Sequence, residues 1–197
     1  MKLGFIGCGN MAGAIMGGII KKGIFKPEEI IGADVFAPTR EKAQATYGIN
    51  ITESNLEVVE KSEVIVLAVK PQFYEAVITE IKDKVTDEKI VITIAPGKTL
   101  AWLEEKFGKA VKIVRTMPNT PAMVMEGMTA ASPNKYLSEE EVKYAEVHRH
   151  MYLCLSKQWQ MRLYLTECQD HRHTNLPHRQ YSEVQRWYWK QENIREN

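Results

Sequence analysis

MKLGFIGCGNMAGAIMGG, residues 1–18, sets the reading of the whole chain. Lys2 to Ile6 is a short apolar run that reads as a buried strand, cut off at once by Gly7 and Gly9. From Met11 onward, Ala12, Ile15, Met16 and Ile19 fall on overlapping turns, so the apolar period lengthens to that of a helix. A strand, a tight glycine turn and a helix leave free backbone N–H groups where a phosphate can sit. Gly7-Cys8-Gly9-Asn10-Met11-Ala12 fits G-x-G-x-x-G/A. In that pattern Gly7 permits the turn, Gly9 lets the backbone approach a pyrophosphate, and Ala12 lets helix and strand pack closely. A glycine turn after a strand is also common as a purely structural device, so the rest of the chain has to decide.

Working outward, strands and helices alternate through residue 146. Ile30–Val35, Glu63–Val69, Ile90–Ala95 and Val111–Val114 are continuous apolar runs of the kind buried on both faces of a sheet. Between them lie helical patterns at Thr39–Tyr47, Asn55–Lys61, Gln72–Val85 and Thr99–Phe107. Gly23, Gly48 and Gly108 stand where helices should stop. Repeated β-α-β units with short connections imply an α/β fold: a doubly wound, mainly parallel sheet of Rossmann type, covered by helices on both sides. The expected domain runs over residues 1–137.

Bulk properties narrow the partners. A chain of 197 residues fits one such domain plus an appendage. A formal net charge of +1 gives no reason to expect nucleic acid or an anionic membrane surface. No stretch approaches the roughly 20 apolar residues that span a bilayer. Cys8, Cys154 and Cys168 form an odd set without framework spacing, which points to a reducing, cytoplasmic setting.

The second part, residues 138–197, has a different character. All twelve glycines lie at or before Gly127, and all five histidines lie beyond Glu146. Ser138-Glu139-Glu140-Glu141 makes a capping box for a helix beginning at Val142. That pattern then loses its spacing, and the remainder has neither a steady period nor a linker composition. Such disagreement between local levels is what a shifted reading frame leaves, with a degenerate helical extension as the alternative. The expectation is an atypical tail, partly helical or disordered. Cys168, His171, His173 and His178 are close enough to suggest zinc, but they follow no familiar finger spacing, so no metal is expected. Trp187-Tyr188-Trp189 has no basic groove beside it, so it reads as chance composition.

Three further stretches fall at strand ends, where ligands sit in such sheets. Asp34 closes the second strand, where an acid would hydrogen-bond the adenosine ribose of NAD; Thr39 and Arg40 follow within reach of the 2′-phosphate of NADP. The choice between the two stays open. Ala68-Val69-Lys70-Pro71 closes the Glu63–Val69 run, with Pro71 biasing Lys70 to an extended conformation. Thr116-Met117-Pro118-Asn119-Thr120-Pro121 reads as a strand-end loop stiffened by two prolines.

GFIGCGNMAGAI, LAVKPQ and VRTMPNTPAMVMEGMTA, in this order and spacing, resemble pyrroline-5-carboxylate reductase, the last enzyme of proline biosynthesis. The likeness covers residues 1 to about 146. It implies that Ile6, Gly7, Cys8, Gly9, Asn10 and Met11 hold the pyrophosphate of NADP or NAD. It places Asp34 and Asn55 toward the adenosine end, and Ala68, Val69, Lys70 and Pro71 beside the nicotinamide, with Ile94 and Ala95 behind. The implied reaction is hydride transfer to a cyclic imine, the small molecule 1-pyrroline-5-carboxylate. The family's C-terminal helical domain carries a Ser-Gly-Ser-Gly-Pro loop for the substrate carboxylate and builds a homo-oligomer. This chain has no glycine after Gly127, so that loop has no counterpart in its sequence. The resemblance therefore leaves the catalytic residues unassigned and allows a non-catalytic dinucleotide-binding remnant, or another Rossmann reductase of the hydroxyacid dehydrogenase type, as alternatives.

Overall fold

Seven strands form one sheet in the order β3-β2-β1-β4-β5-β6-β7. They are β1 (Leu3–Ile6), β2 (Ile30–Ala33), β3 (Asn50–Thr52), β4 (Val64–Leu67), β5 (Ile90–Thr93), β6 (Lys112–Pro118) and β7 (Thr129–Pro133). Among the described residues, five α-helices join them: α1 (Asn10–Lys21), α2 (Ala37–Tyr47), α3 (Asn55–Lys61), α4 (Tyr74–Ile81) and α5 (Leu100–Phe107). The computed structural model describes residues 1–119, 122, 129–138, 140 and 141. These lie within one unit, Met1–Leu165; a second, Thr166–Asn197, is wholly outside the described residues. So are Cys154, the Cys168/His171/His173/His178 group, Trp187–Trp189 and the helix expected from Val142.

All pairings are parallel except β6 with β7. The sheet is doubly wound, as the β-α-β repetition implies. Side chains alternate between its faces, as the period of a strand demands. Leu3, Phe5, Val64, Val66, Ile90 and Ile92 pack with α1 residues such as Ile15, Met16 and Ile19. Ile6, Ile65, Leu67 and Val91 pack on the other face with Val58 of α3, Ile78 of α4 and Leu103 of α5. Both faces are dry, so the strands read as unbroken apolar runs.

Gly48 and Gly108 end α2 and α5 in the left-handed conformation, and Gly23 has the same sign of φ just beyond α1. Two strands have no counterpart in the sequence reading, β3 and β7. A third element differs from expectation: Thr116-Met117-Pro118 is not a loop but the end of β6, paired with Ala131, Ala130 and Thr129. A partner strand distant in sequence supplies the ladder that the apolar run alone did not announce. The helix expected over Gln72–Val85 is a 3₁₀ turn, Pro71–Phe73, followed by the shorter α4. Pro71 explains the 3₁₀ start, because it fixes φ and offers no N–H to a preceding turn. Ser138 and Glu141 form the expected capping box: the Ser138 N–H donates to Glu141 Oε2 at 2.9 Å, and the Glu141 N–H to Ser138 Oγ at 3.2 Å.

Candidate cofactor site

Strand order reverses between β1 and β4, which opens a crevice at the carboxyl ends of the parallel strands. The loops after β1, β2, β3 and β4 all emerge at this end and carry most of the residues singled out above for the site; Ile94 and Ala95 follow β5. Ile6 is the last residue of β1. Its carbonyl accepts from the Ala68 N–H at 2.8 Å, while the Gly7 N–H donates to the Ala33 carbonyl at 2.7 Å. The glycine loop is thus tied to the ends of β2 and β4.

The two glycines of the loop have different reasons to be glycine. Gly7 has φ of +98°, and a Cβ there would lie 2.8 Å from the Ala68 carbonyl group, inside backbone that cannot move aside. Gly9 has ordinary extended dihedrals, φ −66° and ψ −174°. A Cβ on Gly9 would meet nothing within 4 Å among the described residues. Neither conformation nor internal packing requires glycine at that position, and the space in front of its backbone is open. The first turn of α1, beginning Asn10-Met11, has no side-chain cap and no acidic residue. No side chain of the helix itself therefore offsets its N–H groups and positive dipole end. A helix start of this kind suits an anion.

Cys8 is buried beneath the loop, and its Sγ donates to the Ala33 carbonyl at 3.5 Å. Burial, and then the charge of Asp34, push its thiol up to about 12, against a smaller opposing effect of Arg40. It is a neutral packing group and not a nucleophile. Asp34 follows the last residue of β2. Its Oδ2 accepts from the Cys8 N–H at 2.9 Å and its Oδ1 from the Phe36 N–H at 3.0 Å. The strand stops there because the Asp34 side chain captures the Phe36 N–H, while the Arg40 guanidinium donates to the Asp34 carbonyl. Arg40, 8% exposed, also pairs with Glu53. Val35 and Phe36 stand exposed beside Asp34.

Asn55 opens α3 at the carboxyl end of β3, where Ser54 caps the helix by accepting from the Glu57 N–H. The Asn55 side chain donates to Glu80 at 2.9 Å. Past β4, Ala68 and Val69 are half-buried and Lys70 is exposed. Lys70 is extended, φ −64° and ψ 147°, as a residue before proline should be.

A buried hydroxyl chain lies beneath these strand ends and was not read from the sequence. Tyr74 donates to the Leu67 carbonyl, Thr93 Oγ1 donates to the Tyr74 hydroxyl at 3.2 Å, and Thr116 Oγ1 donates to the Thr93 carbonyl at 2.9 Å. It ties the ends of β4, β5 and β6 together. The available signal was a threonine at the end of an apolar run, in IVIT and again in IVRT. A concavity of about 700 Å³ lined by Lys112, Tyr136, Ser138, Glu140 and Glu141 lies at the amino end of β6, away from the crevice. Among the described residues, no group of three His, Cys, Asp or Glu is placed to hold a metal, and no helix is long and apolar enough to cross a membrane.

Fold and loop together define a Rossmann-type domain, the architecture that commonly binds dinucleotides. Residues 2–97 match the family described as NADP oxidoreductase, coenzyme F420-dependent. The chain is 40% identical over 144 residues to the pyrroline-5-carboxylate reductase of Methanosarcina acetivorans, a match covering 73% of this chain and 53% of that protein. Among solved structures it is similar to a pyrroline-5-carboxylate reductase from Coxiella burnetii, with TM-score 0.72 and 33% identity over 77% of this chain and 56% of that one. It is also similar to the Plasmodium falciparum pyrroline carboxylate reductase with NADP bound, with TM-score 0.68 and 33% identity over 79% and 55% of the two chains. Over residues 1 to about 146, the chain is similar to pyrroline-5-carboxylate reductases. It spans about half the length of the curated relatives it matches.

Proposed function

We propose that residues 1–137 bind NAD or NADP and serve the reduction of 1-pyrroline-5-carboxylate to L-proline. The observation that carries this reading is the empty space before Gly9, set beside an uncapped helix start at the switch point of the sheet. A pyrophosphate placed there meets N–H groups and a favourable dipole. Ile6 to Met11 would hold it, with Asp34 and Asn55 toward the adenosine and Ala68 to Pro71 toward the nicotinamide. When bound, the reduced nicotinamide supplies a hydride. The acceptor is the ring carbon of the imine, whose nitrogen keeps its proton and becomes the amine of proline. A protonated imine is already electrophilic, so the protein's share is to orient it and exclude water. The hydroxyl chain of Tyr74, Thr93 and Thr116 would keep the three strand ends beside the nicotinamide in register.

The family relationship supports a small-molecule substrate, a cytoplasmic setting and a homo-oligomer. A second reading is favoured by one specific observation: within these 197 residues no glycine follows Gly127, so they hold no Ser-Gly-Ser-Gly-Pro loop for the substrate carboxylate. On that reading the chain binds the dinucleotide with little or no turnover. Two measurements on the full chain separate the cases. Quenching or enhancement of nicotinamide fluorescence on titration tests the binding; consumption of reduced coenzyme on adding 1-pyrroline-5-carboxylate tests the reaction. Binding with turnover supports the reductase, binding without turnover the second reading, and absence of binding refutes both.

A further inference from the structure

We infer that this chain takes NADH in preference to NADPH, and that a pinned Asp34 makes the choice. The inference rests on the dinucleotide reading above and deepens it.

The Asp34 carboxylate is held on both oxygens, by the Cys8 N–H at 2.9 Å and the Phe36 N–H at 3.0 Å. One of these donors belongs to the glycine loop itself, so the carboxylate stands next to the place where a pyrophosphate would lie. Each carboxylate oxygen has two acceptor positions, and each has one filled by these contacts. The remaining positions suit the two hydroxyl donors of an unmodified ribose. A 2′-phosphate offers no proton at neutral pH beyond a fraction of one, and it sets nearly two negative charges against the carboxylate.

The natural remedy for that repulsion is an arginine, and Arg40 is at the right place in the sequence. Its side chain is committed elsewhere. One arm donates to the Asp34 carbonyl, the other pairs with Glu53, and only 8% of the residue is exposed. Arg40 therefore acts as a strut between the loops after β2 and β3, not as a phosphate anchor. Glu53 is 83% exposed, so its charge reaches solvent on the same side. One guanidinium against two carboxylates leaves the cluster net negative before any coenzyme arrives. Val35 and Phe36 are exposed and apolar, and Thr39 in the first turn of α2 brings a hydroxyl but no positive charge.

The test is a pair of fluorescence titrations of the full chain, with NADH and with NADPH at equal ionic strength. NADH is expected to bind roughly tenfold tighter or more. In Asp34→Ser the ratio should fall toward one. In Glu53→Gln, an exposed change with small folding cost, NADPH should gain relative to NADH. Circular dichroism of each variant establishes that it is folded, and Glu53→Gln carries the test if Asp34→Ser is not. A parent chain that binds both coenzymes equally, or NADPH more tightly, overturns the inference while leaving the dinucleotide reading intact. An unchanged ratio in both folded variants overturns the role of the Asp34 cluster. A chain that binds neither coenzyme removes the dinucleotide reading, and the inference falls with it.

Discussion

Gly7 and Gly9 sit two residues apart and answer to different demands, which makes them separable by mutation. Gly9→Val puts a branched side chain into open space, so the fold should keep its stability while affinity for NADH and NADPH drops at least tenfold in a fluorescence titration. Gly7→Ala forces a Cβ against the Ala68 carbonyl at a φ of +98°. It should cost about 1–3 kcal/mol in denaturant unfolding. Cys8 supplies a pH signature at the same scale. Its thiol is pushed from about 9 to about 12 in the folded chain, so above pH 9 the unfolded state loses the proton that the folded state keeps. Stability is then fully present below pH 9 and falls as pH rises toward 12, by about 1.4 kcal/mol per pH unit from this group. Tyr74, raised from 10 to about 12 by burial, joins the loss above pH 10. Alkaline unfolding curves of Cys8→Ser, which keeps a donor to the Ala33 carbonyl, should be flatter between pH 9 and 10. The turn at Gly7 was legible in the sequence because a turn motif fixes its own local geometry. The inward turn of Arg40 was not, since Glu53, the partner that draws it, lies thirteen residues away.

At the scale of the element, the parallel strands could be read because burial on both faces leaves an unbroken apolar run. β3 and β7 could not. β3 is three residues, Asn-Ile-Thr, on one edge of the sheet. β7 is Thr-Ala-Ala-Ser-Pro on the other, with Pro133 paired opposite Val114. An edge strand needs hydrogen bonds on one side only, so it tolerates proline and does without an apolar period. What locks the β6–β7 pair is a side chain that composition does not flag. Buried Asn134 accepts from the Ile113 N–H at 3.1 Å and donates to the Val111 carbonyl and to Glu104, each at 2.9 Å. Asn134→Ala would leave the Ile113 N–H and the Val111 carbonyl without that partner, and should cost about 2–4 kcal/mol in chemical denaturation.

At the scale of the whole molecule, the described members of the two apolar layers all lie at or before Leu137. A chain trimmed at Glu146 should therefore keep a cooperative thermal transition and the coenzyme affinity of the full chain; loss of either would show that later residues support the sheet. The sequence by itself determined the sheet class, the strand–turn–helix at residues 1–18 and the likeness to the reductases, because each depends on periods and spacings confined to a few neighbouring residues. Tertiary structure alone decided the order of the strands, the extension of β6 through Pro118, the hydroxyl chain under the strand ends and the pinning of Asp34. Each of these joins groups that the chain brings together only by folding, as Cys8 meets Asp34 across 26 positions. Their geometry is set by closure of the sheet, and no local pattern encodes it.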